Sequence, residues 1–322
     1  MARILTGIQS TATPHLGNIL GAVIPATKMA NDPQNESFLF IADMHSLTQI
    51  KNGATIRENT LSTAATWLAF GIDPEKSAFY RQSDIPEVTE LTWYLMCYYP
   101  YSRLTLAHSF KDKSDRLEDV NAGLFTYPIL MAADILLYDA NIVPVGKDQM
   151  QHLEMTRDVA SRFNNKMGET FVIPECRVQE DTMLVPGTDG HKMSKSRNNF
   201  INIFLPEKQL RKQVMTIQTD SKGIDAPKDA EKCNVFALYK LLASADQIEK
   251  MKQSYAAGGY GYGHAKQELF DILLDRFSKE RGVYEKLMKN PDKINEALQV
   301  GAIKAREEAK KVLQRVRDKV GY

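Results

Sequence analysis

Two short runs in this chain carry residue types that can do chemistry together. Lys192-Met193-Ser194-Lys195-Ser196 sets two cations three positions apart, and His15-Leu16-Gly17-Asn18 stands far upstream, just after an apparent first strand that runs into Gly7-Ile8-Gln9-Ser10-Thr11. A helix opening at His15 would present unpaired N–H groups and a positive dipole end, which favour a polyphosphate. Gly17 has no side chain, so an adenine ring can lie close to the backbone, and His15 and Asn18 can donate to phosphate oxygens. Lys192 and Lys195 would follow the charge that builds on departing pyrophosphate, with Met193 packing their loop. Together these runs fit an enzyme that grips ATP from two sides while its α-phosphorus is attacked, where catalysis is positioning and charge stabilisation. The ordinary alternatives are a capped helix start with a surface histidine and a solvated lysine loop.

The surrounding pattern says what must hold these runs in place. Apolar runs at 4–8, 38–42, 78–82 and 142–145 read as buried parallel strands. Between them, 17–30, 54–70 and 87–98 read as helices. The order β-α-β-α-β predicts an α/β, Rossmann-like doubly wound parallel sheet whose ligand site lies at the carboxyl ends of the strands. Residues 103–121 are polar and irregular, as expected of a mobile segment over such a site. After about residue 205 the strand signal fades. Leu269, Leu273 and Phe277 share one helical face, and Ala309, Val312, Leu313, Val316 and Val320 another. The expected organisation is a catalytic domain over 1–190 and a helical domain over 191–322 that begins with the lysine loop. The last helix, from about 294, either joins the helical domain or folds back on the catalytic one.

With 322 residues the chain can bury a sizeable core, and its formal charge of +1 places any basic footprint locally. Cys97, Cys176 and Cys233 are too far apart for a zinc or iron–sulfur spacing, which fits a reduced compartment. No signal peptide opens the sequence, so a cytoplasmic location is expected. The most apolar stretch, 123–146, is broken by Pro128, Asp134, Asp139 and Pro144, and reads as a buried helix followed by a strand and not as a membrane span.

That stretch carries the strongest resemblance. Gly123-Leu-Phe-Thr-Tyr127-Pro128-Ile-Leu-Met131-Ala-Ala-Asp134-Ile-Leu-Leu-Tyr138, then Val143-Pro-Val145-Gly146-Lys147-Asp148-Gln149-Met-Gln151-His152-Leu-Glu154, resembles the class I aminoacyl-tRNA synthetases, and more narrowly their bacterial tryptophanyl branch. The two signature runs agree, although this chain has Ser10-Thr11-Ala12 and His15-Leu16 where the family usually reads Pro-Ser-Gly and Thr-Ile.

The resemblance implies a division of labour among residues. Lys113 would be a third lysine aimed at the phosphates. Gln9, Ser10, Thr11, Gly146, Lys147, Asp148, Met183, Ser194 and Ser196 would complete the ATP contacts, Asp148 on the ribose. Asp134 stands in a setting too apolar for a carboxylate without a partner, and would accept the indole N–H of L-tryptophan. The alternative, a carboxylate satisfied by internal donors, stays open at this point. Leu5, Tyr127, Met131, Val143 and Val145 would wall the ring, with Gln149 at its amino-acid end and His45 nearby. Other implied partners are tRNA(Trp), Mg2+ held by phosphate oxygens and water, and a second copy of the chain. For that homodimer the helix around 130–138 is apolar on more faces than one core requires. Lys304, Arg306, Lys310, Lys311, Arg315, Arg317 and Lys319 form a basic stripe suited to tRNA phosphates, or an ordinary solvated helix, since Glu307, Glu308 and Asp318 interleave. A tyrosine-specific relative and a charging-inactive nucleotide- or RNA-binding paralogue are the competing readings.

Overall fold

The computed structural model describes residues 2–107, 120–146, 149–178 and 184–322, the side chains of 176–178 excepted. Lys113, Lys147, Asp148 and Met183 lie outside the described residues. The chain divides into two compact units, one of residues 1–12, 26–181 and 290–322, the other of 13–25 and 182–289.

The first unit is built on five parallel strands in the order β3-β2-β1-β4-β5. They are β1 (Ala2–Ile8), β2 (Asn35–Ile41), β3 (Ala78–Arg81), β4 (Ile142–Val145) and β5 (Glu175–Val178). β1 is central, and the chain reverses strand order on either side of it, which places the carboxyl ends of β1 and β4 at the crevice expected for ligands. The apolar runs produce these strands because a parallel sheet is buried on both faces. Leu5, Phe38, Leu39, Phe40, Ile41 and Phe79 are all buried.

Around the sheet, Asn52 caps α4 (Gly53–Ala69) by accepting from the Thr55 amide at 2.9 Å. Glu87 and Glu90 sit in the first turn of α5 (Glu87–Tyr98), where the helix dipole favours them. The short α3 (Asp43–Ser46) follows β2, and α6 (Tyr101–Leu104) follows α5. The apolar stretch becomes α7 (Ala122–Leu136) and then β4, and α8 (Met150–Met167) completes a layer in which α7 packs on both α5 and α8. Ala132 through Tyr138 are buried within the chain itself, while Leu130 and Met131 of the same run are half-buried.

The last helix, α14 (Pro291–Val320), belongs to this unit and lies along β3, the edge strand, with further contacts to α4 and α5. A helix over a sheet edge blocks pairing with foreign strands. Its basic stripe is largely committed here. Arg306 pairs with Glu87 at 2.8 Å and Arg315 with Asp139 at 2.6 Å. Arg317 makes two 2.6 Å bonds to Glu90, and Lys304 donates to the Pro74 and Glu75 carbonyls at 2.8 and 2.6 Å.

Gly301 is where α14 comes closest to the strand. A Cβ there would lie 1.9 Å from the Phe79 carbonyl oxygen, so only glycine fits. Gly301→Ala should therefore destabilise the protein by about 1–3 kcal/mol or more, the usual cost of overpacking. Gly282→Ala, in a helix with open space around the added methyl, should instead be neutral or stabilise by roughly 0.5–1 kcal/mol. Equilibrium denaturation of both variants tests the pair; equal behaviour would mean that α14 is free to shift.

The second unit is helical. α9 (Glu207–Met215) and α10 (Asn234–Tyr239) pack on α12 (Tyr262–Arg276), with α11 (Ala245–Ala257) and α13 (Ser278–Met288) beside them. Leu269, Leu273 and Phe277 are buried in its core with Leu210, Val214, Phe236 and Tyr255. The unit also holds α1 (Leu16–Asn18), followed by a widened π-type turn, Ile19–Val23, in which the Ile24 amide reaches back to the Ile19 carbonyl. α2 (Ile24–Ala30) then carries the chain into the first unit. Among the described residues no helix is long and apolar enough to cross a membrane.

Candidate active site

In the first unit, a buried polar network gathers at the carboxyl ends of the strands. Asp134, on α7, is 3 % exposed. Its carboxylate accepts from His45 Nε2 at 2.9 Å and from Gln82 Nε2 at 2.8 and 2.9 Å. His45 is held by α3: the Asp43 carboxylate accepts from the Met44 amide and from the Ser83 amide and hydroxyl, while Gln82 Oε1 accepts from the His45 amide at 3.3 Å. Because a carboxylate only accepts, the His45 proton resides on Nε2. Burial pushes the Asp134 carboxyl above the ordinary range, against the lowering pull of His45 and Gln82.

Tyr127 lies two turns earlier on the same face of α7, its ring edge-on to His45 at 6.0 Å between centroids. Its hydroxyl bonds His152 Nε2 at 3.0 Å, and His152 Nδ1 bonds Gln149 Oε1 at 2.9 Å. With the Gln149 carbonyl as acceptor, Nδ1 carries the proton and Tyr127 donates to Nε2. Leu5, Val143 and Val145 are buried on β1 and β4, and Met131 is half-buried on α7. The structure thus joins Asp134 with His45, and Tyr127 with Gln149.

Gln82 and His152 complete the two networks, and the sequence alone assigned neither of them a role. The position of Gln82 directly after β3 was the available signal.

The ATP residues expected after β1 behave differently from one another. Gln9 donates to the His45 carbonyl at 3.0 Å. Ser10, expected among the ATP contacts, is fully buried in a hydroxyl cluster, 3.2 Å from both Ser46 Oγ and Thr60 Oγ1. That hydroxyl braces β1 against α3 and α4 and is turned away from solvent. Thr11 is half-buried in the bend that follows, and Gly146 accepts from the Gln149 amide at 2.9 Å.

In the second unit His15 and Asn18 cap each other. His15 Nδ1 accepts from the Asn18 amide at 3.2 Å, and Asn18 Oδ1 accepts from the His15 amide at 3.2 Å. Burial, and then the nearby Lys195 charge, lower the His15 pKa to about 4. The imidazole is therefore neutral at pH 7, its proton sits on Nε2, and that atom is a donor. Burial lowers the Lys195 pKa to about 8. Lys192 is exposed, Ser194 half-buried and Ser196 exposed. Met193 is buried at 3 % exposure, and its sulfur accepts from the Gly17 amide at 3.3 Å. The lysine loop thus sits on the His15–Asn18 turn, whose amides are spent on Ile201, Met193 and His15 itself, and brings a neutral histidine donor and a partly desolvated ammonium together. These two groups are suited to phosphate oxygens. Among the described residues no group of three or more His, Cys, Asp or Glu could hold a metal ion.

Comparison with known proteins gives the family. Residues 1–278 match the family described as tRNA synthetases class I (W and Y). A tryptophan–tRNA ligase of Campylobacter jejuni (strain RM1221) is 45% identical over 321 residues, 99% of each chain. One from Rhodopirellula baltica is 46% identical over 319 residues, again 99% of each. The solved structure of the Campylobacter jejuni tryptophanyl-tRNA synthetase complexed with ADP and tryptophan matches with a TM-score of 0.94 at 44% identity, covering 99% of this chain and 100% of that one. The chain belongs to the class I tRNA synthetases, in the family that serves tryptophan and tyrosine.

Proposed function

We propose that this protein activates L-tryptophan with ATP and transfers it to the terminal adenosine of tRNA(Trp). The observation that carries the reading is the full-length likeness to tryptophan–tRNA ligases. In the first step a tryptophan carboxylate oxygen attacks the α-phosphorus, the bond to the β-bridging oxygen breaks, and pyrophosphate leaves. In the second, a ribose hydroxyl attacks the acyl carbon and AMP leaves.

The residue roles follow from chemistry. A carboxylate has about four lone-pair sites, and three are directed at His45 and Gln82, so Asp134 keeps capacity for one indole N–H. His45 and Gln82 hold it at one angle. Lys192 and Lys195 stabilise the charge gathering on pyrophosphate, and His15 Nε2 donates to phosphate oxygens. Mg2+ would be held by the phosphates and water. Helices α9–α13 are assigned to the anticodon, because four of the seven basic residues of the α14 stripe, Lys304, Arg306, Arg315 and Arg317, are engaged within the first unit.

The protein is further assigned a homodimeric, cytoplasmic state. A depression of about 330 Å³ between α3, α5 and α7, lined by Met44, Leu47, Thr92, Tyr127 and Leu130, is the surface suited to a second copy. Leu47 and the nearby Trp93 of α5 are 49 % and 63 % exposed. Light scattering should give the dimer mass, and an active monomer would remove that assignment.

ATP–pyrophosphate exchange across the standard amino acids tests the main reading. Exchange with tryptophan is expected; exchange with tyrosine in its place would overturn it, as would charging of no tRNA.

A further inference from the structure

Asn199 lies three residues beyond the lysine run, carries no formal charge, and is 2 % exposed. Its side chain meets the lysine loop from inside. Asn199 Oδ1 accepts from the Ser194 amide at 2.7 Å, and Nδ2 donates to the Lys192 carbonyl at 3.1 Å and to Asp189 Oδ1 at 2.7 Å. One amide plane therefore spans the peptide groups on both sides of Met193. The Asn199 carbonyl in turn accepts from the Thr188 amide at 2.8 Å.

The segment before the lysines is shaped to receive this side chain. Pro186 and Lys192 form an antiparallel bridge, closed by a tight turn in which Asp189 Oδ1 also accepts from the His191 amide at 3.0 Å. At Gly187 a Cβ would fall 2.3 Å from Asn199 Nδ2, so the amide occupies the space of the missing side chain. Behind the lysines, Asn198 takes φ of +52° and returns its amide to the Lys195 carbonyl at 3.0 Å, which turns the chain so that Asn199 points back into the loop. Asparagine tolerates that left-handed conformation.

We infer that Asn199 is a positioning residue for Lys192 and Lys195: it fixes the backbone from which both ammonium groups project, so that they meet charge as it develops on the phosphates. The inference rests on the adenylation reading above. No other residue type supplies what the site uses, an acceptor and two donors in one plane at this reach. Aspartate keeps the bond to the Ser194 amide but loses both donors and faces Asp189. Serine is too short.

A misplacement of about 1 Å in a positioned group can cost on the order of 10²-fold in rate. Asn199→Ala and the nearly isosteric Asn199→Asp should each lower kcat of ATP–pyrophosphate exchange roughly 10–100-fold, with tryptophan affinity by equilibrium dialysis unchanged. The deciding readout is a double-mutant cycle. In a Lys192→Ala/Lys195→Ala background the same substitutions should cost about threefold or less, because both groups they position are gone. Equal losses in both backgrounds, or an unchanged kcat, would overturn the assignment. If Asn199→Ala does not fold, Asn199→Asp carries the cycle. Hydrogen exchange of the Ser194 amide supplies a readout independent of activity: protected in the parent, it should lose protection in Asn199→Ala, which removes its acceptor, and keep it in Asn199→Asp; retained protection in the alanine variant would overturn the inference. A parent protein that exchanges no pyrophosphate with tryptophan would instead defeat the adenylation reading and leave the amide readout to decide on Asn199.

Discussion

Lys195→Ala lowers the rate of tryptophan adenylation by about 10²–10³-fold, with a far smaller effect on tryptophan affinity. The size is that of removing one preorganised donor from a charge that appears only in the transition state. Lys195 is half-buried beside a neutral His15, and desolvation places its pKa at about 8. An ammonium held partly out of water interacts more strongly with phosphate than one in bulk solvent. The same burial gives the prediction a pH signature with a definite sign. Below about 8 the lysine is charged and able to act; as pH rises through that value it loses its proton, so kcat/KM for ATP should fall on the alkaline side. Lys195→Arg, protonated throughout, should erase that alkaline limb even if its rate is lower. Stopped-flow adenylate formation against pH, for parent and both variants, tests both parts. A raised KM for ATP with kcat intact would reduce Lys195 to a ground-state contact, and an alkaline limb unchanged in Lys195→Arg would assign the titration to another group.

The parts of this mechanism that sequence could reveal were those carried by local pattern. Four strands stood out because continuous apolar runs bounded by breakers have few other uses, and the long helices stood out by period and caps. β5 was hidden by its length and by Glu175 and Arg177, which break an apolar run of four residues. The π-type turn at Ile19–Val23 left no mark, since its apolar residues suit an ordinary helix equally well.

Long-range partners were the other blind spot. Glu87, Glu90 and Asp139 stand between 176 and 227 positions away from the arginines of α14 that they meet, and a basic stripe looks the same whether it faces RNA or an acid across the fold. Ser10 shows a related difficulty. Its position after β1 suggests a ligand contact, and only the fold reveals that its side-chain hydroxyl bonds two hydroxyls from α3 and α4. Asp134 was the reverse case. Its apolar neighbours in sequence said that it must have partners, and only the fold could name His45 and Gln82.

Asp134→Ala should abolish most tryptophan activation while leaving ATP affinity near that of the parent. Hydrogen bonds to a charged group contribute roughly 1.5–3 kcal/mol, and here the variant also strands His45 Nε2 and Gln82 Nε2, two buried donors that lose their acceptor at about 1–3 kcal/mol each. The indole bond alone corresponds to a loss in kcat/KM for tryptophan of roughly 10–150-fold, and displacement of His45 and Gln82 from the pocket wall extends it to the order of 10²–10³-fold, while the stranded donors lower stability. Asp134→Asn separates the two contributions. The amide oxygen can still accept from Gln82 or from the indole, but its NH2 opposes the His45 donor at 2.9 Å and forces the imidazole to its other tautomer or away. It should retain more stability than the alanine variant yet lose nearly as much activity, because discrimination depends on the acceptor standing at one angle. Phenylalanine, which offers no ring donor, should be rejected by the parent, since binding it would leave the carboxylate sealed in an apolar wall with a lone pair unmet. Exchange kinetics with tryptophan and phenylalanine, alongside melting curves, distinguish the outcomes. Undiminished tryptophan activation by Asp134→Asn would show that this carboxylate serves the core alone, and that the indole is read by another group.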